Sequence, residues 1–335
     1  MEDAHLTETG LPREAAATAL FAVFDGHGGH EVSKFCERHF PAELSNEAAG
    51  APDLVPGLVK TFHRMDDMIG SGQHMRELIA LRDGESGEGP EAGEGPKGEA
   101  GGQDDMVMMK LNLLKDLMDK SNISEQGEQG NRPPVLQNPG GPPVCMLPEH
   151  EIQAGCTAVV ACIRGKELLV GWSGDSRAII CKGGKAVALS EDHKPNDPVE
   201  RSRIEKAGGF VQEMNGHHRV NGNLNLSRAI GDLKYKGNST IEKKDQIITA
   251  EPDITRWTLS PDDEFAVLAC DGVWDVMSNQ EVADFVRGRI AAGGRTLQHI
   301  ASQLLDNCLA VDPKLTRGIG GDNMTAIIVQ FEHQA

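Results

Sequence analysis

Six short, almost unbroken hydrophobic runs mark the chain at 19–25, 156–164, 167–173, 177–181, 264–270 and 324–331, rich in β-branched residues and separated by Gly-rich or polar segments. Runs of this length and composition read as strands buried on both faces. A different period appears between them. From His30 to Phe40, Val32, Phe35, Cys36 and Phe40 recur at helical spacing, and Pro41 is expected to end that helix. Ser278-Asn279-Gln280-Glu281 is a capping box that opens a helix with Val282, Phe285, Val286 and Ile290 on one face. Thr296 to Leu309 is a further amphipathic stretch. Consecutive strands followed by late helices predict an α+β fold, with antiparallel sheets inside and helices outside.

The middle of the chain breaks this pattern. Residues 83–105 hold eight acids, one lysine and eight glycines with no apolar period, a composition that cannot offset the entropy of ordering and predicts disorder. The tract 121–149, rich in Gly, Pro, Asn and Gln, reads the same way. Between them, Val107, Leu111, Leu114 and Met118 give Met106 to Lys120 one apolar face. Docking on the core is the plainer use of such a helix, and partner binding the alternative.

At 335 residues the chain is long enough for one large or two ordinary domains. Fifty-one acids against 33 Lys and Arg give a net charge of −18, which argues against direct nucleic-acid binding and for basic partners. Seven cysteines without paired spacing, four of them (Cys156, Cys162, Cys181, Cys270) inside apolar strands, read as reduced thiols of the cytosol or nucleus. No apolar run is long enough for a membrane span.

Candidate chemistry lies at the strand edges. Asp25 and Asp271 each end an apolar run and are followed by glycine, and Asp322 opens another. The plainer reading of any one Asp-Gly pair is a turn. Three acids in matching contexts instead suggest converging carboxylates that share a hard divalent cation, Mg²⁺ or Mn²⁺. Neither His30-Glu31 nor His150-Glu151 completes H-E-x-x-H, and no EF-hand loop is present. Such a cation can activate water and so remove the need for a covalent nucleophile: no cysteine has an arginine six positions on, and neither G-x-S-x-G nor a Walker A loop occurs.

The segments Met1-Glu2-Asp3-Ala4-His5, Phe24-Asp25-Gly26-His27-Gly28-Gly29, Gly155-Cys156-Thr157-Ala158, Ser173-Gly174-Asp175-Ser176-Arg177, Leu226 to Asp232, Asp271-Gly272-Val273-Trp274-Asp275 and Gly321 to Thr325 resemble the ordered motifs of the PP2C (PPM) metal-dependent Ser/Thr protein phosphatases. The resemblance covers residues 1 to about 69 and 151 to 332, with 70–150 set apart as an acidic and Gly/Pro-rich insert, and is greatest to the gamma isoform. It implies a four-layer α/β/β/α sandwich and hydrolysis of phosphoserine and phosphothreonine by a metal-bridging water. It implies two Mg²⁺ or Mn²⁺ ions, held by Asp25, the Gly26 carbonyl, Asp271 and Asp322, with Glu2 and Asp3 acting through water. A third, looser site is implied at Asp175, Asp275 and Asp271; the gamma isoform usually lacks an acid matching Asp275. His27 resembles the general acid, its unperturbed pKa being near neutrality. Thr157 and Arg228 are candidates for orienting substrate loops, with structural roles the plainer reading. Lys194, Arg201, Arg203, Lys206, Arg219, Lys234 and Lys236 fall where the family places a substrate-facing flap, or are ordinary solvated charges.

In the family, an arginine that grips phosphate stands a few residues before the Met-Glu-Asp motif. The resemblance therefore places it, and its edge strand, ahead of Met1. Impaired activity is then an expectation, since a charge-assisted contact to phosphate is worth about 1.5–3 kcal/mol. The expected molecule is a monomeric phosphatase acting on phosphoproteins, basic ones such as histones included. One alternative is a weakly active scaffold that binds basic partners. The other is an enzyme of small phosphate esters.

Overall fold

The computed structural model describes residues 1–11, 18–84 and 152–332, all within one compact unit. The expected helix at 106–120 and the acidic and Gly/Pro-rich tracts lie outside the described residues, apart from Asp83 and Gly84.

Two antiparallel sheets form the centre. The first is built from β1 (Ala4–Glu8), β2 (Thr18–His27), β3 (Gly155–Arg164), β4 (Glu167–Ser173), the short β9 (Ile230–Gly231) and β10 (Asp253–Thr258). Its order is β1-β2-β3-β4-β10, with β9 also paired to β3. The second contains β5 (Arg177–Lys182), β6 (Lys185–Ala188), β11 (Asp263–Ala269) and β12 (Ala326–Gln330), in the order β12-β11-β5-β6. A separate hairpin pairs β7 (Val211–Met214) with β8 (His217–Val220).

Strand alternation sorts the side chains into layers. Along β2, Leu20, Ala22 and Phe24 join an outer core with α1 (Glu31–Glu47), α2 (Val55–Gly70) and α3 (Met75–Arg82), whereas Val23 points to the second sheet. In β11, Phe265, Val267 and Ala269 face the opposite outer core, built with α6 (Asn279–Ala292) and α7 (Leu297–Cys308). Leu268 of the same strand meets Val159, Val170 and Trp172 in the core between the sheets. The architecture is thus the expected α/β/β/α sandwich. Its strands carry apolar residues on both faces because both faces are covered.

Three features differ from expectation. Pro41 lies inside α1, which continues to Glu47. Proline forfeits one backbone hydrogen bond, but Leu44 and Ala48 beyond it are buried in the outer core, and this packing holds the second half of the helix. The packed chain also runs past residue 69: α3 buries Leu78 and Leu81 in the same core. Residues 191–250 form a small satellite rather than a solvated loop, with α4 (Pro198–Lys206) and the β7–β8 hairpin around Ile204, Val220, Leu226, Ala229, Tyr235 and Ile248. The capping box appears as read, with the Ser278 and Glu281 side chains each bonded to the other's backbone.

Candidate active site

The aspartates gather at one end of the sandwich because the antiparallel strands that carry them meet there. Asp25 lies near the end of β2, Asp175 follows β4, Asp271 opens the one-turn helix α5 (Asp271–Trp274) after β11, and Asp322 precedes β12. Asp3 stands just before β1, where Thr325 Oγ1 donates to its Oδ2 at 2.8 Å. Two glycines make this approach possible. A Cβ on Gly26 would strike the Glu2 carbonyl oxygen, and one on Gly272 would strike the Asn323 carbonyl oxygen. The Asp-Gly pairs are therefore crossing points for other segments as well as strand ends. Those segments are joined in turn, the Glu2 amide donating to Asn323 Oδ1 at 2.8 Å and Ser33 Oγ donating to the Glu2 carbonyl.

The resulting electrostatics are costly for a protein alone. Burial, with the charges of Asp271, Asp3, Asp175 and Asp322, pushes the Asp25 carboxyl up to about 10. Asp271 is pushed up to about 7 by burial and by Asp175 and Asp275, against the opposing pull of Lys194. Asp275 and Asp3 are raised as well, in both cases first by burial. Asp3 Oδ1 and Asp175 Oδ1 are buried without a hydrogen-bond donor among the described residues. Crowded carboxylates with orphaned oxygens fit a divalent cation, which supplies the missing positive charge and takes oxygen ligands.

Two side chains that sequence reasoning missed complete the site. Lys194 Nζ donates to Asp175 Oδ2 at 2.6 Å, so an ammonium already neutralises one acid assigned to the third ion site. Asp232 Oδ2 lies 2.6 Å from His27 Nε2. Burial works against a charged His27, yet the Asp232 carboxylate, with Asp175 and Glu2 behind it, raises its pKa above the ordinary value. Asp232 sits in the left-handed backbone region at φ 50°. Its only signal in the sequence is its place at the end of the Leu226-to-Asp232 motif.

Thr157 and Arg228 are enclosed. Thr157 stands opposite Asp25 in the β2–β3 register, and its Oγ1 is 2.6 Å from Ser176 Oγ. Arg228 Nη2 donates to Glu200 Oε1 at 2.7 Å and Nη1 to Asp253 Oδ1 at 2.9 Å, tying the satellite to β10. Most flap cations are paired: Arg203 with Glu200, Lys236 with Asp66 and Arg201 with Glu205.

A carboxylate cluster at one end of two packed sheets defines a cation-dependent class of site, and comparison with known proteins narrows the class. The sequence profile of Protein phosphatase 2C matches residues 1–87 and 124–314. The chain is 40% identical over 340 residues to a probable protein phosphatase 2C of Oryza sativa, covering 99% of this chain and 82% of that protein. It is 38% identical over 334 residues to one of Arabidopsis thaliana, covering 99% and 83%. Among solved structures, a Toxoplasma gondii phosphatase shares the fold with a TM-score of 0.62 at 22% identity, over 99% of this chain and 89% of that one. A C. elegans sex determining protein does so with a TM-score of 0.62 at 21% identity, where the chain spans 61% of that protein's length. The chain belongs to the protein phosphatase 2C family, whose members are metal-dependent Ser/Thr protein phosphatases.

Proposed function

We propose that this chain hydrolyses phosphoserine and phosphothreonine esters of proteins by direct attack of water, with Asp25, the Gly26 carbonyl, Asp271 and Asp322 holding a pair of Mg²⁺ or Mn²⁺ ions. The observation that carries the reading is the convergence of Asp3, Asp25, Asp175, Asp271 and Asp322 on one space, where burial and mutual repulsion push Asp25 up to about 10. Such ions, when bound, lower the pKa of the water they share and hold phosphoryl oxygens. Glu2 and Asp3 orient water around the pair, and Asp175 with Asp275 can hold a further ion where Lys194 yields. Burial disfavours the charged ring, but the Asp232 carboxylate 2.6 Å away favours the imidazolium form of His27 and raises its pKa. With Nε2–H donated to Asp232, the Nδ1 proton is free to pass to the serine or threonine oxygen as it leaves.

The experiment is turnover of a phosphopeptide with Mg²⁺ or Mn²⁺, compared with a sugar phosphate at equal concentration. Peptide turnover that vanishes on chelation supports the reading; preference for the sugar ester defeats it. Within the family we place the chain nearest the gamma isoform, on the likeness of its motifs and the position of its acidic insert; we place it in the cytosol or nucleus because its seven cysteines lack paired spacing, and its preferred substrates among basic phosphoproteins on the strength of the eight acids in 83–105. Preference for basic over acidic phosphoproteins at 0.1 M salt, lost at 1 M, tests that assignment.

A further inference from the structure

Away from the carboxylate cluster, helices α1 and α3 bring three metal-ligating side chains together. His39 Nε2 lies 3.0 Å and 2.9 Å from the two oxygens of Glu77, and His74 Nδ1 lies 3.5 Å from Glu77 Oε2. One ligand atom from each residue can be chosen so that all three lie within 4.8 Å of one another. We propose that His39, His74 and Glu77 form a second metal site, for a borderline divalent cation of the Zn²⁺ class, that clamps α3 onto α1.

Geometry and chemistry both favour this over a plain hydrogen-bonded cluster. Zn²⁺ takes imidazole nitrogen and carboxylate oxygen at about 2.0–2.2 Å, so tetrahedral ligand atoms stand about 3.3 Å apart. The His74–Glu77 separation is close to that edge and beyond the usual hydrogen-bond range of about 2.7–3.2 Å. Small rotations of the side chains close the triangle, leaving a fourth position for water. The rings are also held in place. Phe35, fully buried, packs on His39 with centroids 4.3 Å apart and on His74 at 5.2 Å, and the two imidazoles meet at 5.2 Å. All three ligands are about a quarter exposed, His39 27%, His74 27% and Glu77 28%, so an ion can enter from solvent. Arg38 Nη1, 3.5 Å from Glu77 Oε1, is the competing cation, and its exposed side chain is free to swing away. A nitrogen-rich donor set selects against Mg²⁺, which prefers oxygen, so the two kinds of site sort ions by chemistry.

The test uses the full chain at pH 8, in millimolar Mg²⁺ to occupy the carboxylate cluster. Zn²⁺ is titrated by calorimetry, and Co²⁺ reports coordination through its visible absorption. The expected result is one equivalent of Zn²⁺ bound in excess Mg²⁺ and a strong tetrahedral Co²⁺ band. Saturating Zn²⁺ should also raise the melting temperature by about 5 °C at a hundredfold excess over Kd. Glu77→Gln and His74→Asn should each weaken Zn²⁺ on the order of 100-fold or more, since even residues that only support ligands cost 10–100-fold. Asp271→Asn should leave the Zn²⁺ equivalent and the band intact. The same Zn²⁺ stoichiometry and affinity in wild type, Glu77→Gln and His74→Asn would overturn the proposal, as would loss of the band in Asp271→Asn. Circular dichroism of each variant separates loss of the ion from loss of fold.

Discussion

His27 meets Asp232 across a strand position that has no side chain. Gly155 of β3 pairs with His27 on one side and with Gly231 on the other. A Cβ there would lie 2.7 Å from His27 Nε2 and closer still to Asp232 Oδ2. The first prediction is therefore that Gly155→Ala parts the pair. Overpacking of this kind costs about 1–3 kcal/mol. Turnover of phosphoserine peptides should fall while Mn²⁺ affinity, measured by calorimetry, stays within a few-fold of wild type. Unchanged turnover would mean that the pair does not serve the reaction.

If His27 is the acid and Asp232 holds its proton in place, their substitutions should depend on the leaving group. His27→Gln should slow hydrolysis of an alkyl phosphate such as phosphoserine by about 10²–10⁴, the usual worth of a general acid. Asp232→Asn should have a smaller effect of the same kind and lower the pKa of His27, readable by NMR, because the charge that raises it is gone. A nitrophenyl ester, whose leaving group needs little protonation, should suffer less in both variants. Equal losses on the two esters would make both residues structural.

Asp271→Asn should abolish metal-dependent hydrolysis while leaving the fold intact. The amide keeps the shape of the carboxylate but removes one negative charge from the site. It also relieves repulsion against Asp175 and Asp275, so the variant without metal should melt no lower than wild type. Calorimetric titration with Mn²⁺, a melting curve and a phosphopeptide assay decide the matter. Undiminished turnover contradicts the proposed ion pair.

How much of this was readable in the chain depended on locality. Strands β2, β3, β4, β5, β11 and β12 are buried on both faces, so their hydrophobic runs are continuous and visible. The capping box of α6 is local chemistry and was equally legible. Pro41 misled because its meaning was set by Leu44, which packs on distant residues. β10 escaped because it is an edge strand with exposed positions, Asp253 and Thr258 among them. Asp25 and Asp271 were visible through the glycines that follow them and Asp322 through the strand it opens, whereas Asp3 and Asp175 were reached only through the family resemblance. The pairings of Asp232 and Lys194 were not visible, since their partners stand 205 and 19 positions away; Asp232 was marked only as the end of a motif and Lys194 only as one of several flap cations.

The network around Glu200 gives the last prediction, a pH dependence of stability. Glu200 accepts from Arg228 Nη2 at 2.7 Å, Arg203 Nη1 at 2.6 Å and Ser227 Oγ at 2.6 Å. Burial would raise its pKa, but these hydrogen bonds and the two guanidinium charges win and hold it down at about 2, from an ordinary 4.5. A folded-state pKa below the unfolded one means the unfolded chain binds the proton more readily. The stabilisation is thus fully present above about pH 4.5, declines as pH falls toward 2 and is absent below that. A shift of that size corresponds to roughly 3 kcal/mol at neutral pH. Glu200→Gln should therefore destabilise at pH 7 by that order, leaving two buried guanidinium groups without their carboxylate. The gap between wild type and variant should narrow as pH drops from 4.5 to 2, as followed by urea unfolding at each pH. A gap that stays constant across that interval would show that Glu200 contributes shape and hydrogen bonds rather than charge.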